Sequence, residues 1–227
     1  MSYSSHYSTA SASDMSSSTN TSHSASSPPV VPFKLLFVTG NAGKAREVGE
    51  ILGGAFTIEN KRYDIPEIQG DSPSGSTNYE KALNHSTQIA MAKARKCADD
   101  LGVAVLTEDT SLFLTELMNP GPFVKFWSND AIYKASVGCV DKSIYAVSIF
   151  TFCKPGGTPV TFTGVCQGYV CSPETGKGTN GFGWDPVFVP VEGDGRSFAQ
   201  MTNDEKNKVS HRRRALDVLK RDILSCC

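Results

Sequence analysis

The chain has 227 residues, 20% of them charged, and a formal net charge of −1. That length can bury one sizeable core, and the near-neutral balance argues against a bulk nucleic-acid binder. No stretch reaches the length of a membrane span, and the seven cysteines, odd in number and without a CxxC pair, read as free intracellular thiols.

Met1 to Pro32 holds 13 serines and a single charged residue, Asp14. Such a segment buries too little apolar surface to offset its chain entropy, so residues 1–32 are expected to be a disordered tail. It has no apolar h-region and no arginine or lysine, which argues against a secretory signal or transit peptide. Residues 33–225 are then expected to form one domain, with Cys226-Cys227 as a plain chain end.

Phe33 to Thr39 is a short apolar run ending in Thr-Gly-Asn, expected to be a buried strand feeding a turn. Ala42 to Leu52 carries Val48, Ile51 and Leu52 at helical spacing, and Gly53-Gly54 stops it. Phe56 to Ile65 reads as a second strand, and Gln69 to Asn78 as a loop rich in turn residues. Tyr79 to Leu101 is a long helix. Val103 to Thr107 is a buried strand expected to end just before Glu108-Asp109, at the strand terminus that ligand sites in α/β sheets favour. Pro122 to Asn129 reads as a short helix. Ser143 to Phe152 and Pro159 to Val170 are β-rich and joined by a turn at Lys154-Pro155-Gly156-Gly157. Thr202-Asn203-Asp204-Glu205 fits a capping box, opening a helix, broken or continuous, that runs to Leu224. The pattern is mixed α/β with an antiparallel pair in the middle.

Three segments carry chemistry. Thr39-Gly40-Asn41-Ala42-Gly43-Lys44 opens a helix, where N–H groups and a lysine favour an anion. It is not a Walker A loop, because Val38 and Ala45 stand where that pattern needs glycine and Ser or Thr. Glu108-Asp109 follows an apolar strand. Adjacent carboxylates on extended chain point apart, so both reach one metal ion only if the backbone turns; a solvated loop or a helix cap is the bland alternative. Gly181-Phe182-Gly183-Trp184-Asp185-Pro186 places aromatics in a bent loop, although such residues are more often core. Glu205-Lys206-Asn207 and Ser210-His211-Arg212-Arg213-Arg214 follow it.

In this order, and with Pro120-Gly121-Pro122 between them, the segments resemble the inosine triphosphate pyrophosphatase family, most closely its eukaryotic branch. The resemblance runs from about Phe33 to Leu224. It implies an elongated, two-lobed mixed sheet with flanking helices and a central cleft. It implies Mg2+-dependent hydrolysis of ITP, dITP and XTP to the monophosphate and pyrophosphate, with Mn2+ as a substitute metal. It also implies a cytoplasmic homodimer that engages neither nucleic acid nor membrane. In the family pattern Asp109 binds the metal and is the general base, with Glu108 and Glu67 as further acidic ligands. Thr39, Gly40, Asn41, Lys44, Lys93, Thr110, Lys125 and Lys206 would contact substrate. Phe182 would stack on the base, with Gly183, Trp184 and Asp185 around it, and His211 and Arg212 would read the base edge. One residue departs from the pattern: Gln200 stands where the family has Glu.

Two other readings remain at this stage. One is a nucleotide- or RNA-binding module built on Arg212 to Arg214 and the aromatics. The other is a pyrophosphatase of modified pyrimidine nucleotides on a similar fold, against which the Phe-Gly-Trp-Asp and Ser-His-Arg segments argue.

Overall fold

In the computed structural model, residues 33–54, 56–63 and 78–225 are described. The expected serine-rich tail, the expected loop up to residue 77, Glu67 and Cys226-Cys227 lie outside the described residues.

Strand β1 (Phe33–Val38) pairs in parallel with β2 (Phe56–Lys61), from Phe33↔Phe56 to Val38↔Lys61. Parallel neighbours need a crossover, and helix α1 (Ala42–Leu52) supplies it. The second strand stops at Lys61, short of the expected Ile65; Arg62 and Tyr63 are irregular. Helix α2 (Tyr79–Leu101) matches its expected span. Asn78 caps its start and Gly102, in the left-handed region at φ 66°, ends it. Its buried Ala82, Ser86, Ala90, Ala94 and Ala98 recur every four residues and form a smooth stripe that lies close to the sheet.

Strand β3 (Val105–Leu114) does not end at Thr107 as expected. It pairs antiparallel along its whole length with β5 (Ser143–Cys153), from Val105↔Cys153 to Leu114↔Ile144. That non-local pairing overrides the poor strand propensity of Glu108 and Asp109. On its other edge β3 meets β1 at the pair Phe37↔Leu106. The two-residue strand β4 (Pro120–Gly121) joins that edge at Leu112 and Phe113. Among the described residues no strand covers the stretch between, and Glu108, Asp109 and Thr110 lie in this gap.

Pro122–Phe126 is a 3₁₀ turn rather than the expected helix to Asn129. The extended Trp127 ends it, and Ser128 then caps a separate helix, α3 (Asn129–Val137). Strands β5 and β6 (Val160–Val170) form the expected hairpin. A short strand, β7 (Phe188–Pro190), pairs with the end of β6. The capping box at Thr202 and Glu205 is present and opens α4 (Asn203–Val209). Ser210 ends α4 and caps α5 (His211–Leu224), so the expected helix is broken there. Among the described residues the sheet order is β2-β1-β3-β5-β6-β7, with β4 on the open edge of β3.

The core divides along the sheet. Phe37, Val48, Leu52, Phe150, Leu216 and Leu219 pack between the parallel end and helices α1 and α5. Leu112, Ile132, Ile144, Phe188 and Phe198 fill the antiparallel end. Each such side chain contributes about 1.5–3 kcal/mol by leaving water. Helix α5 rests directly on β6: a Cβ at Gly164 would fall 2.2 Å from Ala215 N and from His211 O. That contact fixes the height of His211 and Arg212 above the sheet.

Candidate active site

A cleft of about 380 Å³ opens at the gap in the β3 edge, where β1 stops. Thr39, Gly40, Asn41 and Lys44 line one wall from the turn between β1 and α1. That turn is braced internally: Asn41 N–H donates to Thr39 Oγ1 at 3.1 Å, and Lys44 N–H to Asn41 Oδ1 at 3.1 Å. Lys93 enters from α2, and Lys125 from the 3₁₀ turn. The segment Phe182–Asp185 and the paired helices α4 and α5, with Lys206, His211 and Arg212, close the cleft. Gly181 and Gly183 have φ of 78° and 61°, which bends the chain around Phe182.

Behind the cleft lies a buried ionic network. Arg212 is 1% exposed and binds Glu47 on α1; its Nη2 also donates to Glu108 Oε1 at 3.1 Å and Thr110 Oγ1 at 3.3 Å. Lys206 is 2% exposed and bridges Glu47 Oε1 at 2.8 Å and Asp185 Oδ2 at 2.5 Å. Lys44 pairs with Glu108 Oε2. Three carboxylates thus face three cations, which makes burial of Glu47, Glu108, Asp185, Lys206 and Arg212 tolerable, with Lys44 partly exposed. Asp185 Oδ2 also accepts the Phe182 N–H at 2.7 Å, tying the aromatic loop to Lys206.

Burial alone would raise the Glu108 carboxyl. The Lys44 and Arg212 charges, with hydrogen bonds from Lys44 and Thr110, outweigh it and hold that group well below the usual carboxylate range. Glu47 shifts down for the same reason: burial is overcome by Arg212 and Lys206. At Asp185 burial wins over Lys206, and its carboxyl shifts up. His211, 1% exposed, is driven well below the usual imidazole value by burial first and by the Arg212 charge second. It is therefore neutral near pH 7. Its Nδ1 and Nε2 have no hydrogen-bond partner among the described residues, nor has Arg212 Nε. Buried polar atoms left in this state suit a polar ligand. The His211 ring lies 5.3 Å from Trp184 and 6.2 Å from Phe198, centroid to centroid.

Comparison with known proteins fits this arrangement. The profile of the Ham1 family matches residues 35–222. The chain belongs to the Ham1 family. It is 39% identical over 191 residues to a protein of Methanopyrus kandleri named dITP/XTP pyrophosphatase, covering 81% of this chain and 93% of that one. It is 38% identical over 193 residues to the inosine triphosphate pyrophosphatase of Aspergillus fumigatus, covering 82% and 92%. The solved structure of a Ham1 protein from Coxiella burnetii shares the fold with a TM-score of 0.67, covering 85% of this chain and 99% of that one at 24% identity.

Within this Ham1-family fold, every expected site residue in the described part lines the one cleft. Glu108 and Asp109 do not turn toward each other. The strand stays extended, so they project to opposite faces of β3. Glu108 goes toward α1 and α5, where Thr110 Oγ1 at 2.7 Å and Ser148 Oγ at 2.8 Å donate to its Oε1. Asp109 goes toward α2, where Lys93 Nζ lies 2.7 Å from its Oδ1. Its Oδ2 is buried and has no hydrogen-bond partner among the described residues. Such an oxygen fits a hard divalent cation, and Mg2+ commonly takes only one or two carboxylates, completing its shell with water and substrate phosphates. The described residues contain no cluster of three or more metal-binding side chains.

Sequence reasoning missed Glu47, Ser148 and Tyr63. Glu47 looks like an ordinary helix-surface charge; its one local signal is that it lies three residues after Lys44, on the same face of α1. Tyr63 lines the cleft and donates to Asp100 Oδ2 at 3.1 Å. Nothing in its neighbourhood of sequence marks it.

Proposed function

We infer that residues 33–225 form a divalent-metal-dependent pyrophosphatase of non-canonical purine nucleoside triphosphates. It turns ITP, dITP or XTP into the monophosphate and pyrophosphate. The observation that carries this reading is the meeting, in one cleft, of two unlike groups. Neutral His211 and Arg212 sit beside Phe182 and Trp184 with nitrogen atoms unpartnered, and Asp109 presents an unpartnered oxygen beside Lys93. The names of the relatives in Methanopyrus and Aspergillus agree with it.

Asp109 takes a proton from water, whose oxygen attacks the α-phosphorus. The bond from that phosphorus to the α,β-bridging oxygen breaks, and pyrophosphate leaves. Lys93 holds Asp109 through Oδ1 and leaves Oδ2 without a hydrogen-bond partner among the described residues. Bound Mg2+, or Mn2+ in its place, supplies positive charge against the phosphates; Asp109 and Glu67 would hold it. This charge is needed because Lys44, Lys206 and Arg212 are already matched by Glu108, Asp185 and Glu47. Glu108 serves here to hold Lys44 and Arg212. The first turn of α1 offers N–H groups and a positive dipole end to the phosphates.

Selection follows from the donors. Hypoxanthine and xanthine carry a 6-oxo acceptor, and adenine a 6-amino donor. Donors at Arg212 and His211 satisfy the first and leave the second unpaired, at about 1–3 kcal/mol for each buried group. The same reading carries a cytoplasmic homodimer that binds neither nucleic acid nor membrane. Against a basic RNA-binding patch, Arg213 is paired with Asp217 at 2.8 Å and Arg214 with Glu192 at 2.5 Å. No helix among the described residues is long and apolar enough to cross a membrane.

The test is product analysis after incubation with ITP, XTP, dITP, ATP and GTP, with and without Mg2+. Monophosphate and pyrophosphate from the first three, abolished by chelator, are expected. Diphosphate and phosphate would overturn the mechanism, and equal turnover of ATP would overturn the substrate class.

A further inference from the structure

Gly43 has no conformational reason to be glycine. It lies in the first turn of α1, and its φ is not positive. Glycine is the poorest helix former after proline, so any other small residue would serve the helix better. The reason is spatial. A Cβ at Gly43 would fall 2.6, 2.7 and 2.9 Å from Cδ1, Cε1 and Cγ of Phe182, closer than real Cβ atoms come. Three adjacent ring atoms at nearly equal distance put the Gly43 backbone over the ring face, not at its edge. Gly40, the other glycine of the same turn, has no such contact: a Cβ there would be 3.9 Å from the nearest atom, in Arg62.

The Phe182 ring is held from several directions. Its N–H is fixed to Asp185 Oδ2 at 2.7 Å, and Lys206 Nζ stands 4.6 Å from the ring centroid. The Arg212 guanidinium carbon is 5.8 Å from it. Gly43 adds an apolar stop belonging to the phosphate-binding turn. The two halves of the cleft, one facing phosphate and one facing base, therefore meet at this backbone-on-ring contact as well as through the ion pairs of Glu47.

We propose that Gly43 is a specificity-determining residue: its bare Cα lets the Phe182 ring lie against the phosphate-binding turn, and this contact sets the plane on which a purine base stacks. The inference rests on the reading of Phe182 as the stacking face. Gly43 is a positioning residue that acts through Phe182 and reaches the base no other way. A methyl group at position 43 tilts the ring and leaves the N–H groups of the turn in place. Base discrimination then suffers more than phosphate binding does.

The experiment uses the full chain in four forms: wild type, Gly43→Ala, Phe182→Ala and the double variant. The readouts are kcat and KM for ITP and ATP, inhibition by inorganic tripolyphosphate, and thermal melting. Gly43→Ala is expected to raise KM for ITP roughly tenfold and to cut the ITP-over-ATP ratio of kcat/KM by a similar factor. Tripolyphosphate inhibition should change less than about twofold, and melting should shift by only a few degrees, because the helix gain from alanine offsets part of the cost of moving the ring. In the Phe182→Ala background, Gly43→Ala should change the ratio by less than about twofold. Additive effects, or equal weakening of tripolyphosphate and ITP, would overturn the inference and leave the functional reading standing. A wild type inert toward ITP would remove both.

Discussion

The Arg212 guanidinium at the start of α5 binds the Glu47 carboxylate on α1, across 165 positions of sequence, with both side chains 2% exposed. This pair, with Lys206 on the second oxygen of Glu47, locks the two helices that carry phosphate-facing and base-facing groups. Taking away one partner leaves a desolvated charge, which costs far more than the intact pair contributes. Glu47→Ala should therefore destabilise the fold by about 3–5 kcal/mol in urea unfolding. Loss of under 1 kcal/mol would mean that the pair is solvated in solution.

Asp109 tests the chemistry separately from the fold. Its side chain is 18% exposed and lies outside the Glu47 network, so Asp109→Asn should leave melting nearly unchanged. A positioned general base contributes about 10²- to 10⁴-fold, and kcat for ITP should fall within that range. Near-full turnover in the presence of Mg2+ would remove both the base and the metal roles.

The ends of α1 and α2 and the start of α4 were legible in sequence because their causes are local, whereas α3 was not read at all. Asn41 and Asn78 cap α1 and α2, Gly102 ends α2, and the Thr202–Glu205 box opens α4. The run of β3 past Thr107 was not legible, because it depends on a ten-residue register with β5 about forty positions away. The resemblance implied a joint metal role for adjacent Glu108 and Asp109, which required the backbone to turn there. Only that register shows them on opposite faces. The cleft residues themselves were named from their motifs. Glu47 was missed because its partners, Lys206 and Arg212, come from the far end of the chain. The three residues of β7 carry too little pattern to be read as a strand.

His211 gives stability a pH dependence of defined sign. Its folded pKa lies well below the unfolded value of 6.5, because burial disfavours the charged ring. Below pH 6.5 the unfolded chain binds a proton that the folded chain does not, so this contribution is complete above pH 6.5 and lost as pH falls. About 1.4 kcal/mol should be gone by pH 5.5. The lowered carboxyls act in a separate, more acid window: Glu205, held at about 2 by Arg196, loses its contribution only as pH falls below the ordinary 4.5. Urea unfolding at pH 7.5 and 5.5 should show the loss in wild type and not in His211→Gln. Equal losses in both proteins would assign the effect elsewhere.

The resemblance implies Glu at position 200, and the contacts of Gln200 say what the amide does. Its Oε1 accepts the Ser197 N–H at 2.9 Å, and its Nε2 donates to the Thr175 carbonyl at 2.9 Å. A carboxylate can keep the first bond but not the second, and it would set two acceptors against each other at Thr175. The contact matters because Thr175 begins the segment that leads to Phe182, and Ser197 Oγ fastens the same segment by donating to Gly176 O at 2.5 Å. Gln200→Glu should cost about 1–2 kcal/mol, a drop of roughly 2–8 °C in melting temperature for a domain of this size. Because the network around Asp185 and Lys206 holds the far end of the loop, kcat for ITP should change less than about threefold, the factor that corresponds to about 0.65 kcal/mol. Calorimetry and steady-state rates on the one variant decide it. A large loss of kcat without a fall in melting temperature would mean that position 200 acts on the chemistry rather than on the loop.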